Sequence, residues 1–126
     1  MKRTVSTDDA PAAVGAYSQA TTTGDLLFTA GQLPLTPEGD LLDDAPVEEQ
    51  TRQCLRNVEA ILASEGLDRT AVLKTTVFLD DIGDFAAFDA AYSEFFDAEP
   101  PARSAVGAGD VPKGAAVEIE AIATTE

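Results

Sequence analysis

The chain has 126 residues, enough for one compact domain over residues 1–126, and its 44% hydrophobic content supports one modest core. Its 23 acidic against 8 basic residues leave a net charge of −15, a field that repels phosphate backbones and anionic lipid surfaces and so argues against nucleic-acid or membrane partners. It has no histidine and one cysteine, Cys54, which excludes a histidine-based triad, a histidine-rich zinc site and any intrachain disulfide. The N-terminus lacks the apolar run of a signal peptide, and the longest uncharged stretch, Leu26 to Pro37, is broken by Gly31, Gln32 and two prolines. A cytoplasmic protein is therefore expected. The excess of Asp over Glu and the three lysines read either as solubility or as adaptation to a salty, halophilic cytosol with an acidic proteome.

In chain order, short apolar runs at Thr4-Val5 and Ala16–Ala20 are predicted strands. Leu26–Ala30 is a stronger strand candidate that stops at Gly31, before a loop punctuated by Pro37-Glu38-Gly39. Pro46 opens a predicted helix, with Glu48 and Glu49 at its positive end, and Gly66 closes it. Val47, Thr51, Leu55, Val58 and Leu62 recur at helical spacing, with Cys54 and Ile61 widening the stripe, so the thiol reads as a packed core group. Val72–Leu79 is a predicted strand, with simple alternation placing Leu73, Val77 and Leu79 on one side and Val72 and Phe78 on the other. Asp84 is a candidate N-cap for a second helix bearing Phe85, Phe88, Tyr92, Phe95 and Phe96, ended by Pro100-Pro101. Strands around Ala102–Ala108 and Ala116–Thr124 follow, joined by a turn at Asp110–Gly114.

This order places two helices on one face of one sheet. The strands are apolar on both faces, and no helix is left to cover the second; another subunit is the simplest cover.

With histidine absent, chemistry falls to Arg, Glu, Tyr, hydroxyls and backbone groups. Arg103 stands among small residues in Ala102–Val106, with Ala105 on the same face. Its fork suits a ligand carboxylate, and equally an internal salt bridge in so acidic a chain. Glu118 and Glu120 share one face of the last strand, either lining a cleft, where one could position or deprotonate water, or standing as surface charges. Tyr17 offers a phenol to a ligand or packs as an ordinary tyrosine. No acidic loop has the spacing of a metal site.

Five segments resemble motifs of the RidA/YjgF family: Pro11–Gln19, Thr29–Pro34, Lys74–Leu79 with Asp84-Phe85, Pro101–Ser104 and Val117–Ala123. The resemblance spans nearly the whole chain in order. It implies an α+β, chorismate-mutase-like domain, a mixed six-stranded sheet with two helices on one face, assembled as a homotrimer with clefts between subunits. It implies a deaminase that hydrolyses reactive 2-imino acids to 2-oxo acids and ammonia, with neither metal nor organic cofactor. Arg103 matches the arginine that grips the substrate carboxylate, and Glu118 the glutamate that holds the attacking water. Tyr17, Gly31, Asp89 and the backbone of Ala105 match other, substrate-binding pocket positions. Asp89 departs from a frequent asparagine, Ala30 from serine and Ala105 from cysteine, and the charge of Asp89 disfavours an anionic substrate. A binding module that reports 2-oxo or amino acids without turnover is the alternative. An RNA-directed role has been proposed for relatives, and the −15 charge opposes it here.

Overall fold

A computed structural model describes all 126 residues. Six strands, β1 (Arg3–Val5), β2 (Ala20–Thr22), β3 (Leu26–Thr29), β4 (Val72–Leu79), β5 (Ala102–Gly107) and β6 (Val117–Thr124), form one sheet in the order β1-β2-β3-β6-β4-β5. β4 and β5 are parallel and every other pair is antiparallel, so the sheet is mixed. Helices α1 (Val47–Ala63) and α2 (Phe85–Phe95) pack against each other and against one face of the sheet. The architecture is α+β, with six strands and two helices.

The core lies between these layers. Cys54, Leu55, Val58, Ile61 and Leu62 of α1 and Phe88 and Tyr92 of α2 meet Leu27, Val77, Leu79, Val117, Ile119 and Ala123 of the sheet. Each fully buried Leu or Ile contributes about 1.5–3 kcal/mol. Cys54 is wholly buried, with Sγ 3.7 Å from the Val117 carbonyl, and burial pushes its thiol well above the ordinary range.

Two sequence expectations are corrected and one is refined. Residues 16–19 are not a strand; pairing starts at Ala20, because the preceding residues fold into an arm tied to Gln19. Asp84 occupies the N-cap position of α2 as expected but makes no side-chain capping bond, and it is Asp81 that accepts from the Gly83 N–H to cap the short turn before the helix. A β-bulge between Val72 and Lys74 breaks the alternation of β4. Val72 thereby joins Thr75, Val77 and Leu79 on the buried side, and Leu73 is 49% exposed.

The face away from the helices lacks a cover within the chain. It presents Phe28 and Val106, 40% and 45% exposed, with Lys74, Phe78, Glu118, Glu120 and Ile122 on the intervening strands. No helix of the chain is long and apolar enough to cross a membrane.

Candidate active site

The residues singled out from the sequence fall into two groups, on opposite faces of the sheet. The first is built around the N-terminal arm. The Gln19 side chain is buried and acts as its clip: the amide donates to the carbonyls of Thr7, Ala10 and Pro11 at 3.0, 3.3 and 2.8 Å, and Oε1 accepts from the Thr7 N–H at 2.6 Å. The chain then turns at Gly15, whose φ of +120° favours glycine. Tyr17 follows, half exposed, its hydroxyl accepting from the Val14 N–H at 3.2 Å. Tyr17 and Gly31 line one crevice with Pro11, Ala12, Gln32 and Leu33.

Gly31 connects this crevice to Glu118. After β3 the chain bulges outward: the Thr29 hydroxyl accepts from the Ala121 N–H at 3.0 Å, and Gln32 then pairs with Ile119 through two backbone bonds. The Glu118 carboxyl lies directly against Gly31. A β-carbon at position 31 would stand 2.6 Å from Glu118 Oε2 and 2.8 Å from its Cδ. Only glycine admits the carboxylate there. Partial burial, reinforced by the neighbouring Glu120, raises the Glu118 carboxyl above the ordinary glutamate range. Its proton affinity is thereby moved toward that of a useful base near neutral pH.

The second group lies on the helix side. Arg103 pairs in register with Thr75 of β4, and both point toward α2. The Arg103 guanidinium rests over aromatic rings, 4.8 Å from the Tyr92 centroid, 5.1 Å from Phe85 and 5.7 Å from Phe88. Its Nη1 donates to Asp89 Oδ1 at 2.6 Å. The internal salt bridge left open by the sequence is thus formed. Tyr92 is fixed beneath by a 2.7 Å hydrogen bond with Thr75 Oγ1, and burial raises its phenol above the usual range. Ala105 shares the helix side and packs on the core, while its backbone runs along β5, an edge strand with unpaired polar groups on its outer side.

Arg103 and Glu118 are therefore on opposite sides of the sheet, on strands separated by β4. Two strand spacings across the sheet and a three-residue offset along it, Thr75 against Phe78, put those backbones roughly 14 Å apart before the side chains diverge. One chain thus presents a carboxylate on one face of the sheet and a guanidinium on the other.

Residues 7–125 match the family model described as Endoribonuclease L-PSP. The chain belongs to the RidA/YjgF family. It is 44% identical to the 2-iminobutanoate/2-iminopropanoate deaminase of Salmonella typhimurium, with 98% of each chain covered. It is 49% identical to the RutC family protein y4sK of Sinorhizobium fredii, covering 94% of each. Among solved structures it superposes on the YjgF gene product of Escherichia coli with a TM-score of 0.93 at 43% identity, covering 98% of this chain and 99% of that one. Escherichia coli TdcF with bound serine gives a TM-score of 0.92 at 40% identity, covering 97% and 98%. The RidA/YjgF relatives thus include named imine deaminases and proteins whose names carry no reaction.

Two supporting features escaped the sequence reading: Gln19 organises the arm that carries Tyr17, and the Phe85, Phe88 and Tyr92 rings carry Arg103 besides filling the core. Asp89 is already a candidate site residue in the sequence, but its direct pairing with Arg103 is not assigned there. For Asp89 a signal was present, since a helical carboxylate three residues before Tyr92 shares that helix face.

Proposed function

We propose that this protein hydrolyses 2-imino acids to 2-oxo acids and ammonia, in clefts completed between copies of the chain in a homotrimer. The observation that carries the reading is the split site: a proton-accepting carboxylate set against the Gly31 backbone on one face, and a guanidinium on the other. A carboxylate-bearing electrophile needs both, and a second copy stacked on the uncovered face can bring them together. The deaminase names of close relatives, and the amino acid bound to TdcF, support a small carboxylate-bearing substrate.

The chemistry follows from these groups. Arg103 holds the carboxylate through paired hydrogen bonds and fixes the C=N carbon of the iminium form. Glu118 orients a water about 3 Å from that carbon, the separation a near-attack geometry requires. Glu118 takes one water proton as the hydroxyl adds, giving a carbinolamine. It returns that proton to nitrogen, converting the amine to an ammonium leaving group. The C–N bond then breaks as the hydroxyl proton passes to Glu118; the departing ammonia takes that proton as ammonium, which restores the Glu118 carboxylate and leaves the 2-oxo acid. Neither metal nor organic cofactor enters these steps. Tyr17 and the edge backbone near Ala105 supply further hydrogen-bonding groups around the substrate.

Turnover is tested with an imine generated in situ by an amino-acid oxidase, following 2-oxo acid release against a protein-free control. We expect clear acceleration over the spontaneous rate. Tight binding of 2-oxo acids with a rate equal to the control would instead establish the sensing module.

Assembly is tested by sedimentation. The exposed apolar residues Phe28, Leu73 and Val106 drive association, while three copies triple a charge of −15. The trimer is expected to strengthen from low salt to molar KCl as the screening length falls to about 3 Å. A monomer at both salts would refute the trimer and the shared site.

A further inference from the structure

The grip on the substrate carboxylate is charge-compensated inside the chain itself. The bond from Arg103 Nη1 to Asp89 Oδ1 is the guanidinium's single hydrogen bond to protein, leaving Nε and Nη2 without protein acceptors. Asp89 Oδ2 accepts no hydrogen bond from the chain. Both side chains are accessible, Arg103 at 26% and Asp89 at 40%. They border an open cleft with Tyr92, Ser93, Phe96 and Pro101, and Arg103 is the one basic residue lining it.

We propose that Asp89 is a specificity-determining residue: seated on the rim of the Arg103 cleft, it selects 2-imino acids with neutral or cationic side chains and rejects those carrying a second carboxylate. The proposal rests on Arg103 as the carboxylate grip. Its argument is electrostatic. The Arg103–Asp89 pair has no net charge, so a monocarboxylate is held by the directed N–H groups of the free edge rather than by excess positive potential. A second carboxylate entering the cleft meets Asp89 and finds no other cation there to offset it. Lys74, in the same stretch of sheet, stands on the opposite face and donates to Ser104 Oγ at 2.9 Å. A cationic side chain, by contrast, meets the free Oδ2. Asp89 sits on a solvent-facing part of α2, so its charge is removable without opening the core.

The test uses stable 2-oxo acids as probes. 2-Oxobutanoate carries a neutral side chain and 2-oxoglutarate a second carboxylate. Calorimetric titration is run on the wild-type protein, Asp89→Asn and Arg103→Ala. Asparagine keeps the size and an acceptor oxygen for Arg103 while deleting the charge. The wild type is expected to prefer 2-oxobutanoate, and Asp89→Asn to shift the affinity ratio toward 2-oxoglutarate by roughly 5- to 10-fold, as one full charge within a few ångströms of a partly desolvated carboxylate implies. The shift should shrink in molar KCl. An unchanged ratio in Asp89→Asn, or a wild-type preference for 2-oxoglutarate, would overturn the proposal. Arg103→Ala separates the two layers of inference. If it weakens both probes while Asp89→Asn leaves the ratio untouched, the specificity role fails and the carboxylate grip stands. If it weakens neither probe, the grip fails and the specificity role fails with it. A shifted ratio in a protein that does not accelerate imine hydrolysis would keep the specificity role and remove the reaction.

Discussion

Replacing Arg103 with alanine should raise KM for an imino acid by roughly 10- to 100-fold, the loss of one or two charge-assisted hydrogen bonds in a partly desolvated cleft. The interaction acts in ground and transition state alike, so much of its effect falls on KM. kcat should fall as well, because the reacting carbon is no longer held against the water. Two features of the structure sharpen this expectation. The guanidinium lies over three aromatic rings and is bonded to Asp89, so its fork is pre-oriented before substrate arrives. Arg103→Lys should therefore recover only part of the loss: an ammonium restores charge but not the planar pair of donors or the stacking on Tyr92. Steady-state kinetics with the spontaneous rate subtracted measures all three proteins. Near wild-type kcat/KM in Arg103→Ala would reduce the Arg103–Asp89 pair to a structural salt bridge.

Glu118→Gln should lower kcat by roughly 10²-fold with little change in KM, the usual contribution of a positioned general base. Glutamine keeps the size and can fill the space against Gly31, so the backbone bulge after β3 has no reason to shift. The pH profile gives an independent readout. Burial and the neighbouring Glu120 raise the Glu118 carboxyl, so the acid limb of wild-type kcat should lie above the ordinary glutamate range, with activity lost as pH falls and the base is protonated. That limb should be absent in Glu118→Gln. Stability runs the other way. Because the folded-state carboxyl is raised, its protonated form favours the fold at low pH, and that contribution is lost as pH rises through the folded value. At neutral pH the variant should melt no lower than the wild type, and the two should converge in acid. A variant with full activity, or one that keeps the acid limb, would remove Glu118 from the reaction.

Much of the architecture was legible locally. The α1 stripe of Leu55, Val58 and Leu62 is buried as its 3.6-residue period requires, and the aromatic stripe of α2 buries Phe88, Tyr92 and Phe96. The alternation in β6 correctly separated Val117, Ile119 and Ala121 from Glu118 and Glu120, because a period of two assigns faces wherever a strand is regular. The same rule failed at Leu73, where a bulge changes parity: an extra residue of β4 stands between Val72 opposite Ala123 and Lys74 opposite Ile122, a property of the pairing that alternation within one strand does not show. The 16–19 segment failed for a related reason: its apolar residues satisfy strand propensity, but Gln19 ties the arm that precedes it by bonds across eight to twelve positions.

By itself, then, the sequence determined the residue types available for chemistry, the succession of elements and an apolar second sheet face. Tertiary structure alone decided which residues meet. That Glu118 rests against Gly31 follows from the pairing of Gln32 with Ile119, a contact 87 positions distant. That Arg103 turns to Asp89 and away from Glu118 follows from register across β4, where Arg103 pairs with Thr75 on the helix side and Glu118 with Phe78 on the other. Alternation says which residues of one strand share a face; only the assembled sheet, with helices on one side, says which face that is.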